Sequence, residues 1–199
     1  MKKLCIIFLV IVLSILYTTV GYCEKISNDL QNNIFRLHII ANSDSDYDQN
    51  IKILVRDSII EYMNKNTSSF NNLKDCINYF NNNMKDINHI VEKVLTDNNC
   101  DITFSCCISK EFFPTKKYDN YSFPTGIYNC LKIKLGNSTG QNWWCVLYPN
   151  LCIPNTNSKK QEDIKLKNCI TQSSYDLVTS NISYKFKIVE VYEKIKNKY

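Results

Sequence analysis

FPTGIYNCLKIKLGNSTGQNWWCVLYPNLC, residues 123–152, is the densest run of large side chains in the chain, and its reading decides the fold. Ile127, Asn129, Leu131, Ile133 and Leu135 alternate with Tyr128, Cys130, Lys132 and Lys134. That period of two describes a strand with one buried and one wetter face. Gly136-Asn137-Ser138-Thr139-Gly140 is turn chemistry, with glycine at either end to supply positive φ. Residues 143–148 are large on both faces, as in a central strand covered on each side, and Pro149 ends it for want of an N–H. The stretch predicts a β-hairpin. Trp143 and Trp144 point to opposite faces, one for core packing and the other available as a partner anchor. Cys145 and Cys152 are separated by a turn containing proline. A reversal there would bring their Cα atoms within the roughly 4.4–6.8 Å that a disulfide needs.

Working outward, Phe35, Leu37, Ile39 and Ala41 alternate with Arg36, His38 and Ile40, which predicts another strand. Asn42-Ser43-Asp44-Ser45-Asp46 then opens a helix, with Ser45 and Asp48 spaced as a capping box. A calcium loop starting at Asp44 fails at its sixth position, Gln49, and its twelfth, Val55. Ile51, Leu54, Val55, Ile59, Tyr62 and Met63 mark one helical face, and Phe70 to Val94 continues with spacings of three and four, as one bent helix or two collinear ones. Residues 101–109 alternate again as a strand, and residues 113–124 read as a loop. Residues 164–183 favour neither periodicity, whereas Ile188, Val191, Tyr192 and Ile195 mark a last amphipathic helix. The expected fold is α+β: a mostly antiparallel sheet of about four strands with two or three helices packed on it.

Met1-Lys2-Lys3 precedes an apolar run over residues 4–20, on the boundary between a signal peptide and a membrane span. Either use exports the remainder and permits disulfides. The domain plan is a signal peptide or anchor (1–22), a polar tether (23–33), an α+β domain (34–153), a variable polar segment (154–184) and a C-terminal amphipathic helix (185–199). The net charge is +5, but the lysines are dispersed and only Arg36 and Arg56 are arginine, unlike a nucleic-acid groove. Ten cysteines and two histidines form no C-x-x-C or paired Cys/His spacing, so no metal or cofactor is expected.

Three stretches together resemble the stage II sporulation protein R family of endospore-forming Firmicutes: FRLHIIANSDSDYDQNIKILVRD (35–57), FFPTKKYDNYSFPTGIYNCLKIKLG (112–136) and GQNWWCVLYPNLC (140–152). The resemblance covers roughly residues 34–153. It implies a signalling protein, exported from the forespore into the space between forespore and mother cell. There it would activate a membrane-embedded aspartic protease that processes the precursor of the mother-cell sigma factor E.

A ligand of that kind needs no catalytic residues, and the chain contains no G-x-S-x-G, H-E-x-x-H or phosphate-binding glycine loop. The expected partner surface is Arg36, Asn42, Asp44 and Asp46 at the strand–helix junction, with Gln141, Asn142 and Trp144 from the hairpin. The competing reading of Asn42, Asp44 and Gln141 is that they only cap and turn the chain. Two other functions compete. A thiol hydrolase would use Cys145 as nucleophile and His38 as base, both on one sheet face. A wall- or membrane-surface module would use exposed Tyr118, Tyr121 and Tyr128.

Overall fold

The computed structural model describes residues 2–66, 70–118, 121–149, 151, 159–180, 189, 191–193 and 195. Cys152 lies outside them, as does most of the expected 185–199 helix, of which Val189, residues 191–193 and Ile195 are helical. The elements run α1 (Lys2–Asn33), β1 (Phe35–Ile40), α2 (Asp46–Asn66), α3 (Leu73–Asn82), α4 (Met84–Asp97) and β2 (Phe104–Phe113). They continue with β3 (Lys116–Tyr118), β4 (Tyr121–Phe123), β5 (Gly126–Leu135), β6 (Asn142–Tyr148), α5 (Lys159–Cys169) and α6 (Gln172–Thr179). The class is α+β, as expected.

The chain divides into two compact units. The first joins residues 1–30, 114–126 and 170–199, and the second residues 31–113 and 127–169. The expected body over residues 34–153 therefore loses its 114–126 segment, which pairs β3 with β4 in a two-stranded sheet of its own. In the first unit, α1 buries Cys23, Ile26, Ser27 and Leu30. Ser27 Oγ donates to the buried carboxylate of Glu193, and Asp29 accepts from the backbone and hydroxyl of Thr171 at 2.8 Å each. Residues 23–33 are thus the last turns of a helix rather than a polar tether. Their apolar positions 23, 26 and 30 recur at helical spacing and find a core. Upstream, Leu4 to Val20 presents exposed apolar side chains, in a helix long and apolar enough to cross a membrane.

The second unit is built on a four-stranded sheet of order β2-β5-β1-β6. This corrects the hairpin. β5 and β6 do not pair with each other, because β1 lies between them, parallel to β5 and antiparallel to β6. The sheet is mixed, β6 is an edge, and the central strand is β1, buried on both faces from Phe35 to Ile39. The connection over residues 136–141 is the reason. Gly136 (φ +52°) and Ser138 (φ +55°) open the turn, and the amides at its far end bond to the residues just after β1. Thr139 N donates to Asn42 O at 3.2 Å and Gly140 N to Ala41 O at 3.0 Å.

One face of this sheet carries the core. Phe35, Leu37 and Ile39, Leu131, Ile133 and Leu135, and Cys145 and Leu147 meet the stripes Ile51-Val55-Ile59-Met63, Leu73-Cys76-Phe80 and Ile87-Val91-Leu95 of α2, α3 and α4. The helical run after Phe70 is two helices, broken at Asn83. Of the two tryptophans, Trp143 packs against this core and Trp144 faces the other way.

Candidate functional site

Two sets of side chains flank β1, one at its carboxyl end and the other along the sheet face away from the helices. The first is the junction from β1 into α2. Ser45 caps α2, its Oγ accepting from Asp48 N at 3.2 Å. The carboxylate of Asp48 turns back and accepts from Ser43 Oγ at 2.5 Å and Asn42 Nδ2 at 2.8 Å. The Ser43 hydrogen bond leads in holding this carboxyl below its ordinary range, against burial, which opposes it. Asn42 Oδ1 accepts from Asn137 N at 2.9 Å, and Asp44 Oδ1 accepts from Gln141 N at 2.7 Å. Lys52, buried on α2, donates to Gln141 O at 3.1 Å and to Gln49 Oε1 at 2.5 Å. Burial pushes its ammonium below the usual lysine range. The 42–49 and 136–141 segments are thus sewn together by side chains from both.

Close approach makes this possible. A Cβ on Gly140 would lie 2.1 Å from Ser43 O, and one on Gly136 would lie 2.1 Å from Asn42 Oδ1. Glycine is required at 136 for its positive φ as well, but at 140 for space alone.

The second set lies on the sheet face away from α2, α3 and α4. Arg36 is fully buried, its guanidinium carbon 4.2 Å from the centre of the Phe113 ring and 5.0 Å from that of Tyr128. Its Nε donates to Cys145 O at 3.4 Å. His38 stacks on Trp144 with centroids 3.8 Å apart, and its Nε2 meets Asn142 Oδ1 at 2.7 Å. Burial lowers the His38 pKa, partly offset by the Asn142 contact. Phe113 closes the group against Trp144 at 4.6 Å, edge to face. Beside it, Lys132 and Glu111 pair at 2.9 Å.

The seven expected residues divide between these sets. Asn42, Asp44 and Gln141 are joined at the junction, and Asp46 stands on α2. Asn142 and Trp144 meet His38, and Arg36 lies toward the start of β1 with Phe113 and Tyr128. Asp44, Asp46, Gln141 and Asn142 are exposed, Asn42 and Trp144 are half-buried, and Arg36 is sealed in. Asn42 and Asp44 turn and brace the chain, in keeping with their structural reading. Asp46 stands in the first turn of α2, where a carboxylate suits the helix dipole. Sequence reasoning missed Lys52 as part of the junction, and gave Asp48 only a capping role, not its hydrogen bonds to Ser43 and Asn42. It also placed Phe113 in a loop, whereas it ends β2. The two glycines flanking the turn were the available signal.

Two competing sites do not assemble. Cys145 faces the helix-side core while His38 faces the opposite side with Trp144, so nucleophile and base do not share a face. Tyr121 and Tyr128 are buried, and Tyr118 is half-buried, so these are not an exposed aromatic surface. Among the described residues, no three His, Cys, Asp or Glu side chains are grouped as a metal site would need.

Sequence comparison places this α+β chain in a sporulation family. The sequence profile of stage II sporulation protein R matches residues 31–158. The stage II sporulation protein R of Bacillus subtilis (strain 168) is 30% identical over 192 residues, covering 90% of this chain and 86% of that protein. The chain belongs to the stage II sporulation protein R family. No solved structure matches it.

Proposed function

We infer that this chain is an exported signal between forespore and mother cell. It acts by binding and activating a membrane-embedded aspartic protease, which then processes the sigma factor E precursor. Family membership across residues 31–158 carries the reading, and the apolar N-terminal helix supports export toward a membrane. The chain acts as a ligand and performs no bond-breaking step of its own.

The contact surface in this reading is the rim of the braced junction: Asp44, Asp46, Gln141 and Asn142, with the exposed part of Trp144. Residues at such loop ends are held by a rigid scaffold and remain open to a partner. Arg36 acts behind it, as a brace. Cys145 is paired with Cys152 and steadies the end of β6. The support for this pairing is that Cys145 stands apart from the eight free thiols, Cys5, Cys23, Cys76, Cys100, Cys106, Cys107, Cys130 and Cys169.

The test is co-expression of this chain, the membrane protease and the sigma precursor in a non-sporulating host, with precursor size as readout. Processing that requires this chain, survives Cys145→Ser and is lost in Asp46→Lys with Gln141→Lys is the expected result. No processing in the presence of folded, exported wild-type chain would overturn the reading.

A further inference from the structure

β2 is one edge of the four-stranded sheet and neighbours β5 alone. Among the described residues, no turn, loop or cap backbone group bonds to residues 104–112. Edge strands of soluble proteins are usually kept short, bulged, or broken by proline and outward lysines, because a bare edge templates another strand. β2 has few of these safeguards. It runs ten residues, FSCCISKEFF, without proline or glycine. Its two charges, Lys110 and Glu111, cancel, and Glu111 is tied to Lys132. Phe112 is 49% exposed, and Ser105 and Cys107 are exposed as well.

We propose that β2 is a homodimer interface, at which a second copy of this chain adds its own β2 antiparallel and edge to edge. A twofold axis perpendicular to the sheet joins the two four-stranded sheets into one. Such an axis keeps each sheet face on its own side, so only residues on the same face oppose one another. Centred on Ile108, it overlaps residues 104–112. Phe104 then opposes the partner's Phe112, and Ile108 the partner's Ile108. Cys106 opposes the partner's Lys110, and Ser105 the partner's Glu111. Like charges never meet, and aromatic cross-strand pairs close both ends of the ladder. This self-complementarity is the argument for a second copy over a foreign strand. It stands independently of the protease reading.

The test uses the full chain in detergent micelles, by sedimentation equilibrium. Wild type should dimerise. Phe112→Lys, at an exposed position, should raise the dimer dissociation constant about tenfold or more with unchanged circular dichroism. The double variant Phe104→Cys/Phe112→Cys should form an intermolecular disulfide under mild copper oxidation, and neither single variant should. A monomeric wild type would overturn the proposal, even if it recruits a strand from another protein. So would a dimer unaffected by Phe112→Lys, the result expected of association through α1, or a double variant that links no better than the singles.

Discussion

Gly140 lies so close to the carbonyl of Ser43 that a Cβ on it would sit 2.1 Å from that oxygen, well inside van der Waals contact. Backbone meets backbone here, so no side chain can swing aside. Gly140→Ala should therefore destabilise the second unit by about 2–4 kcal/mol, at the upper end of overpacking costs. Gly21→Ala, with nothing within 4 Å, should leave stability within about 0.5 kcal/mol of wild type or raise it. Thermal unfolding of the two variants checks the contrast.

Asp48 ties the junction through Asn42 and Ser43, and its carboxyl is held below the ordinary range chiefly by the Ser43 hydroxyl. A depressed folded-state pKa contributes stability above the unfolded value of about 3.9 and loses it as pH falls through the folded one. Wild type should lose stability below about pH 4, and Asp48→Asn should flatten that limb while costing about 1–3 kcal/mol at neutral pH. Urea unfolding at stepped pH measures both.

His38 gives a second window, at higher pH. Its pKa is lowered by burial against Trp144 and Phe113, so the unfolded chain takes up the proton first. Stability from this group is intact above about pH 6.5 and declines as pH drops toward the folded value. His38→Gln should remove the decline that begins below about pH 6.5 and leave the Asp48 limb in place.

Arg36 was expected on a partner surface, yet it lies buried against the rings of Phe113 and Tyr128. Arg36→Ala should cost about 3 kcal/mol or more, because it empties a buried site and removes a cation from the faces of two rings. Arg36→Lys should recover less than half of that, since an ammonium cannot stack as a planar guanidinium does. Any loss of processing should track the fraction unfolded. A folded, inactive Arg36→Ala would refute the bracing role.

The free thiols should divide by exposure. Cys107 is exposed, whereas burial pushes Cys106 and Cys130 up to about 12 and Cys76 higher still. Brief maleimide treatment at pH 7.5 should label Cys107 ahead of these three, as read by peptide mass spectrometry. Equal labelling would mean that the sheet does not hold.

Local pattern carried much of this fold. The stripes of α2, α3 and α4 follow from side-chain periodicity, and burial agrees with them. The alternation of Phe35–Ala41 and Ile127–Leu135 marked strands but not their wet face, since β1 is buried on both faces and Tyr128 and Cys130 are more buried than Ile127 and Asn129. Strand adjacency was not legible. Whether β6 folds back on β5 or leaves room for β1 depends on which carbonyls the 136–141 amides choose, and those carbonyls, on Ala41 and Asn42, are far away in sequence. The same applies to residues 23–33, polar in composition but helical once Cys23, Ile26 and Leu30 find a core. At the site, position was legible and exposure was not. Arg36 and Trp144 face the same side, but nothing in their spacing says which is sealed and which reaches water.

The earliest strand of the sheet in sequence is also its innermost, held by β5 on one side and β6 on the other. During synthesis β1 emerges with neither neighbour and must wait for residues 126–148 before its backbone can be satisfied. The chain is thus built to stay open until most of it has left the ribosome, since its central pairings are all long-range and slow to close. Under the export proposed above, that delay has a use: the order of the strands would keep the chain pliable while it is threaded through a narrow pore.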